Sequence, residues 1–385
     1  VSFVIDRLSR AGTETQMLAL IRELNRTRIE PSLVLLDGTD AESRALEPDC
    51  PVVRLGVTRL ASRSAASAAR RLAAEWAARR PDVVQAYFLD SAYFAAVVAR
   101  WSRVTRVVRV RNNLGYWLTP RHRLLGRLVR PLVDVTLTNT PVGRQQLERE
   151  GEPAAVIPNG VDLDRFRDIR PPDVTGSVRV GCVANLRPVK NLDGLLRAAK
   201  SVSDRFSRVT FTIAGDGDQR TELERLRDRL GLRGRFEIVG PTADVPGFLS
   251  GCAVAVLPSH SEGMSNAVLE YMAAGRAVVA TAVGATPELL DGGRCGLLAP
   301  PGDDAALASA IGRLLVDQRL AAELGAAARR RAEREYSRAA MVRRFEDFYA
   351  GLMSSGGRAP MRATNSARRA ATSFSRRFSS SGSPP

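Results

Sequence analysis

Short apolar or β-branched runs alternate along most of the chain with longer stretches whose apolar residues recur every three or four positions. The runs at 2–5 (SFVI), 33–36 (LVLL), 83–86 (VVQA), 104–110 (VTRVVRV) and 134–139 (DVTLTN) predict strands. Between the first of them, 13–26 and 61–80 have helical composition and spacing. The pattern then restarts: 178–184, 209–215, 236–240, 253–258 and 277–281 are a second set of strands, each followed by a helical or turn-rich segment. Alternation of this kind predicts parallel sheets covered by helices on both faces, and two successive sets predict two doubly wound domains. The turn residues of VIPNGVDLDRFRDIRPPD (156–173) mark the seam, giving an N-terminal unit over 1–165 and a second over 166–336. Ligands of such sheets bind beyond the carboxyl ends of the strands, so the cleft between the two units is the expected site.

Composition adjusts this picture only at the end of the chain. The net charge of +16 divides into +7 for residues 1–165 (25 basic, 18 acidic), +3 for 166–354 (26 and 23), and six arginines without an acid in 355–385. That last stretch, rich in Ser, Gly, Arg and Pro, is predicted to be a basic disordered tail. It lacks the aromatic interleaving of a nucleic-acid module, so no specific nucleic acid is expected. No apolar run approaches the length of a membrane span and no secretory leader is legible. The four cysteines are dispersed without CxxC spacing, as reduced structural thiols would be, and the expected location is cytoplasmic. In 117–133, Arg121, Arg123, Arg127 and Arg130 interleave with Leu124, Leu125, Leu128 and Leu132. A core-facing helix with solvated arginines is the preferred reading; a helix lying on anionic lipid at the inner face of the cell membrane is the other.

The stretch SEGMSNAVLEYMAAG (261–275) holds the densest chemistry. The strand at 253–258 ends at Pro258, Ser265 is a plausible N-cap for a helix starting at Asn266, and Gly275 stops it. Glu262 then lies on a loop at the strand's carboxyl end, and Glu270 one turn into the helix. Free amides from Gly263 to Ala267 suit an anion, and two carboxylates suit sugar hydroxyls. From the residues alone, a loop-capping Glu262 and an exposed Glu270 fit equally well.

This stretch, with LPS (257–259) before it and VGATPELL (283–290) after it, resembles the E-x7-E segment of retaining glycosyltransferases of the GT-B fold, family 4 (glycosyl transferases group 1). VANLRPVKN (183–191), IAGDGDQR (213–220), GLLAPPGD (296–303), VIPNGVD (156–162) and DRLSRAGTE (6–14) resemble further blocks of that family, in order, over roughly residues 2–352. The resemblance implies two Rossmann-like doubly wound domains facing a cleft, with a return helix at 337–353 that packs on the first domain. It implies transfer of a sugar from a nucleoside-diphosphate-sugar donor to a glycan or lipid-linked acceptor hydroxyl with retention, in cell-envelope polysaccharide or glycolipid synthesis. Neither a cofactor nor a metal is expected.

Position by position, it implies that Glu262 holds donor-sugar hydroxyls and Glu270 the ribose. Backbone amides at Gly263, Ser265, Asn266 and Ala267 would bind the donor's phosphate or sugar. Lys190, helped by Arg187, would neutralise the leaving diphosphate. Gly12, placed before the first helix, would bring backbone close to the diphosphate or acceptor. The Gly-Arg pair of many relatives reads Ala184-Asn185 here, and Asn185 is kept as a donor-binding candidate. Arg111 and Asn112 stand where many relatives have a His. His260 is expected to be a loop residue and His122 to be exposed. Asp216-Gly-Asp218 and Asp162-Leu-Asp164 have the spacing of a metal-binding pair, but sit in turns. AGDGDQ is not a dinucleotide fingerprint. Base recognition is expected from backbone near Val239 and Gly240. Two other classes share the architecture: a non-catalytic nucleotide-sugar or anionic-lipid binder, and a nucleotide-sugar epimerase. Lys190 together with both glutamates argues against the first, and the scarcity of histidine against the second.

Overall fold

The computed structural model describes residues 1–112, 119–172 and 176–354. The predicted disordered tail, residues 113–118 and residues 173–175 lie outside the described residues.

Two parallel sheets form, one from each set of strands. The first contains β1 (Ser2–Ile5), β2 (Ser32–Leu35), β3 (Val52–Arg54), β4 (Val83–Tyr87), β5 (Arg106–Val110), β6 (Val135–Thr138) and β7 (Ala154–Val156) in the order 3-2-1-4-5-6-7. The second contains β8 (Val178–Val183), β9 (Val209–Ala214), β10 (Phe236–Ile238), β11 (Val254–Leu257), β12 (Ala277–Thr281) and β13 (Leu297–Ala299) in the order 10-9-8-11-12-13. Every strand pairing within them is parallel. Covering helices bury both faces of the central strands, which is why β1, β4, β11 and β12 are buried throughout and, apart from Ser2, Gln85 and Thr281, apolar rather than alternating. Both orders reverse beside the first strand, so each sheet opens a crevice at its switch point: between β1 and β4 in one, between β8 and β11 in the other. These are two Rossmann-like units of a GT-B architecture.

The chain returns to its first unit at the end. The helix Arg338–Ser354 places Met341, Val342, Phe348, Tyr349 and Leu352 in the core that also holds Phe3, Ile5 and Met17. Tyr349 Oη donates to Gln85 Oε1 of β4 at 2.9 Å. The crossing is fixed by backbone bonds from Val161 N to Tyr336 O and from Arg338 N to Val161 O.

Two expectations need correcting. The helix Pro120–Val129 does not point its leucines at the core: Leu124, Leu125 and Leu128 are 59%, 47% and 66% exposed. It rests on the helix Leu89–Trp101 through its other face, where Tyr93 Oη donates to His122 O at 3.0 Å and Gly126 lets the helices approach. His122 is half-buried rather than exposed, and its Nδ1 accepts from Thr119 N, closing a capping box.

Candidate functional site

The loops after β8 and β11 meet at the second switch point. After β8 a single 3₁₀ turn, Pro188–Lys190, ends at Asn191, whose φ of 50° is left-handed. The Asn191 side chain donates to Pro258 O at 3.2 Å, which ties this turn to the end of β11. Lys190 is thereby brought to Glu262, 72 residues away in sequence, with Nζ 2.6 Å from Oε1. Ser259 Oγ donates to the same oxygen at 2.6 Å. The Glu262 backbone is held by Gly284, where φ is +55° and any Cβ would overlap the Glu262 carbonyl. The two groups expected to serve donor sugar and diphosphate separately are thus paired with each other.

Ser265 caps the helix Asn266–Ala273 by accepting from Val268 N, and Gly275 follows it with φ +64°, as the sequence predicts. The amides of Gly263 to Ala267 donate to no protein acceptor among the described residues. Glu270 is half-buried, and its carboxylate accepts no hydrogen bond from a described residue. Burial pushes its carboxyl up to about 7, against the opposing pull of Arg165 and Arg338. Arg187 and Asn185 lie exposed on the same rim, and Arg187 forms no ion pair among the described residues. The arrangement offers one guanidinium and one ammonium for anionic charge, a turn of free amides, and two carboxylates.

The facing edge is the carboxyl end of the first sheet. Gly12 is the first residue of the helix Gly12–Glu23 rather than a residue before it. Its carbonyl accepts from Asn266 Nδ2 at 3.2 Å, and a Cβ on Gly12 would stand 3.0 Å from that nitrogen. A Cβ on Gly263 would fall well inside contact distance of the Asn112 carbonyl oxygen. The lobes therefore touch through two glycines, with Asn159 N also donating to Met264 Sδ at 3.2 Å. The Asn266 side chain is committed to this contact, accepting from Asn159 Nδ2 (2.8 Å) and Gln16 Nε2 (3.2 Å). Gln16, Asn139 and Asn159 were not singled out by the sequence reading. Their amides are chemically neutral and far apart in the chain, although Asn159 belongs to the quoted VIPNGVD. Beside them a pocket of about 370 Å³ is lined by Thr13, Gln16, Tyr87, Asn112, Asn159 and Phe345 among others.

Several candidates are drawn elsewhere. Arg111 pairs with Glu150 at 2.6 Å, away from the lobe contact that its neighbour Asn112 makes. His260 is exposed on the loop before Glu262, its N–H bonded to Val189 O. Asp162 pairs with Arg338, Asp164 with Arg167, and Asp216 with Arg220. Among the described residues, no group of three or more His, Cys, Asp or Glu side chains is placed to hold a metal. The larger hollows, of about 1510 and 1060 Å³, open at the amino ends of the strands, by Ser32 and Val83 and by Val178, Val254 and Ala277. They are remote from Lys190 and Glu262, and size alone does not identify the site.

Residues 10–165 match the family model described as "Glycosyltransferase Family 4", and 177–317 the one described as "Glycosyl transferases group 1". The lipopolysaccharide core biosynthesis glycosyltransferase LpsD of Rhizobium meliloti is 27% identical over 285 residues, 70% of this chain and 75% of that protein. The GDP-mannose-dependent alpha-(1-6)-phosphatidylinositol monomannoside mannosyltransferase of Mycolicibacterium smegmatis is 28% identical over 83% of this chain and 90% of its own length. Matches to D-inositol 3-phosphate glycosyltransferases span less of those proteins, 45% for the one from Corynebacterium jeikeium. Among solved structures, Anabaena Alr3699/HepE in complex with UDP superposes with a TM-score of 0.78 at 20% identity, covering 91% of this chain and 99% of that one.

Proposed function

Because the chain belongs to the GT-B glycosyltransferases of family 4 (group 1), we propose that it moves a sugar from a nucleoside-diphosphate-sugar to an acceptor hydroxyl with retention of configuration. The C1–O bond to the diphosphate breaks and a C1–O bond to the acceptor forms. The acceptor's proton leaves with the diphosphate on the same face, so no side-chain base is required.

The observation that carries this reading is the Lys190–Glu262 pair at the switch point. A donor entering there exchanges the pair's mutual contact for two of its own: Lys190 moves onto the diphosphate, with Arg187, and Glu262 is released to sugar hydroxyls. The pair thus keeps both charges compensated until the donor arrives. Glu270, whose carboxylate meets no donor among the described residues, receives the ribose hydroxyls, and the amides of Gly263, Ser265, Asn266 and Ala267 the phosphate or sugar. Asn185 lines the same rim.

The names of the similar proteins favour a cell-envelope glycan or glycolipid as product. The uncovered leucines 124, 125 and 128, with Trp101 59% exposed on the adjoining helix and Arg127 beside them, favour an acceptor met at an anionic membrane surface. On this reading the unit over 1–165 with the return helix is the acceptor side and 166–336 the donor side.

The test is turnover. Purified protein incubated with UDP-glucose, GDP-mannose and other nucleotide-sugars should release nucleoside diphosphate from one of them, and NMR of the product should show the donor's anomeric configuration. Glu262→Ala should abolish that release. Turnover of no donor, or the same rate in Glu262→Ala, would leave only a binding protein, and product inversion would remove the retaining mechanism.

A further inference from the structure

A single directional chain of side-chain amides crosses the cleft. It begins at Gly160, whose N–H donates to Gln16 Oε1 at 3.1 Å while its carbonyl accepts from Gln16 Nε2 at 3.0 Å. A backbone N–H can only donate and a carbonyl can only accept, so the Gln16 amide has one orientation. Its Nε2 also reaches Asn266, which must therefore turn Oδ1 to Gln16. Asn266 Nδ2 then faces the Gly12 carbonyl, a second acceptor-only group that fixes the same sense. Asn159 must give Nδ2 to Asn266 Oδ1, leaving its own Oδ1 for Asn139 Nδ2 at 3.2 Å. Reversing Gln16, Asn159 or Asn266 would set N–H against N–H, and reversing Asn139 would set its oxygen against Asn159 Oδ1.

The chain ends on Asn139 Oδ1. Asn139 is 4% exposed, and this oxygen accepts from no group among the described residues. It lies 3.7 Å from where a Cβ on Gly263 would stand, one residue from Glu262. An unmet buried acceptor costs about 1–3 kcal/mol, so a ligand that supplies a donor there is favoured by the loss of that cost. We propose that Asn139 Oδ1 accepts a hydrogen bond from a hydroxyl of the acceptor substrate. It is a specificity residue that demands an O–H at this point and is not met by a phosphate dianion, which has only acceptor atoms. Because Asn139 is linked through Asn159 to Asn266 at the head of the donor-side helix, the hydroxyl completes the clasp that closes the lobes. This assignment rests on the transferase reading above.

The test is how cleaved donor divides between a polyol and water. Glycerol serves as the hydroxyl probe, and the readout is the ratio of glyceryl glycoside to free sugar formed from whichever nucleotide-sugar the protein cleaves. That ratio is insensitive to the amount of folded enzyme and to defects in donor binding, which scale both products together. Asn139→Leu should lower the ratio about tenfold. Asn139→Asp should recover it at acid pH, where the protonated carboxyl gives its O–H to Asn159 and keeps a carbonyl oxygen in the place of Oδ1. An unchanged ratio in Asn139→Leu, with total cleavage altered or not, overturns the assignment while leaving the transferase intact. Failure of Asn139→Asp to recover a lowered ratio at acid pH overturns it as well, since the loss would then be one of packing. Cleavage of no donor by the unmutated protein would overturn the transferase reading itself, and this assignment with it.

Discussion

The two lobes have the same topology around their switch points, yet the edges they present to each other differ in kind. The second lobe brings charge: Lys190 and Glu262 in contact, Glu270 half-buried, Arg187 exposed. The first brings neutral amides and backbone: Gln16, Asn139, Asn159, the Gly12 and Asn112 carbonyls. Of the arginines at the carboxyl ends of its strands, Arg109 is paired with Glu152 and Arg111 with Glu150, while Arg7 and Arg10 on the loop after β1 are exposed to solvent. One fold can therefore bear two chemistries, because the sheet sets only where loops converge and the loop residues set what they do. A charged edge fits a leaving diphosphate, and an edge of uncharged amides fits hydroxyls.

The comparison breaks first at Lys190. Lys190→Ala removes the ammonium and leaves Glu262 without its counter-ion, so nucleoside diphosphate release should fall about 10²–10³-fold. A fall below about threefold in steady-state release would mean that the charge of the second lobe is not what drives the reaction. Gly263→Ala comes next. Its Cβ would collide with the Asn112 carbonyl, so the lobes should be held apart while each folds as before. Release should drop about tenfold to a hundredfold, and small-angle scattering should show a larger radius of gyration than the parent. An unchanged radius would mean that the two edges need not meet through this glycine.

Where the sequence succeeded and failed follows from the same asymmetry. Buried central strands such as 253–258 and 277–281 are readable because both faces demand apolar residues over a full run. The strands Val52–Arg54, Ala154–Val156 and Leu297–Ala299 went unseen: each has three residues and lies at a sheet edge, whereas the equally short edge strand Phe236–Ile238 is legible because Val239 and Gly240 extend and close its run. The Ser265 cap and Gly275 stop were legible because capping is local. The meeting of Lys190 with Glu262 was legible only as a consequence of topology, since both follow strands that flank a switch point. Their direct pairing was not, because it depends on side-chain placement across two loops 72 residues apart. Asn159 and Asn266 sit in quoted blocks, but nothing in those blocks signals that their side chains meet each other, Gln16 and Asn139 over a span of 250 positions. The leucines of Pro120–Val129 were misjudged because amphipathicity marks an apolar face without saying what covers it.

The smallest expected effect is the sharpest on Glu270. Its folded pKa, raised to about 7 by burial, lies above the ordinary carboxylate value of about 4.3. The native state therefore binds the proton more tightly than the unfolded one. The contribution of Glu270 to stability should be greatest below the unfolded value, decline as pH rises from there to about 7, and then level off. Glu270→Gln should match the parent near pH 4 and melt higher at pH 8, by about 2–4 °C for each kcal/mol regained. Nucleotide binding should run the other way, because ribose hydroxyls donate to the ionised carboxylate. UDP or GDP affinity, measured by calorimetry, should weaken as pH falls below about 7, with release of up to one proton on binding, and this pH dependence should vanish in Glu270→Gln. If the variant instead keeps the parent's pH profile, the ribose is held elsewhere. The charged edge of the second lobe would then reduce to Lys190, Arg187 and Glu262 alone.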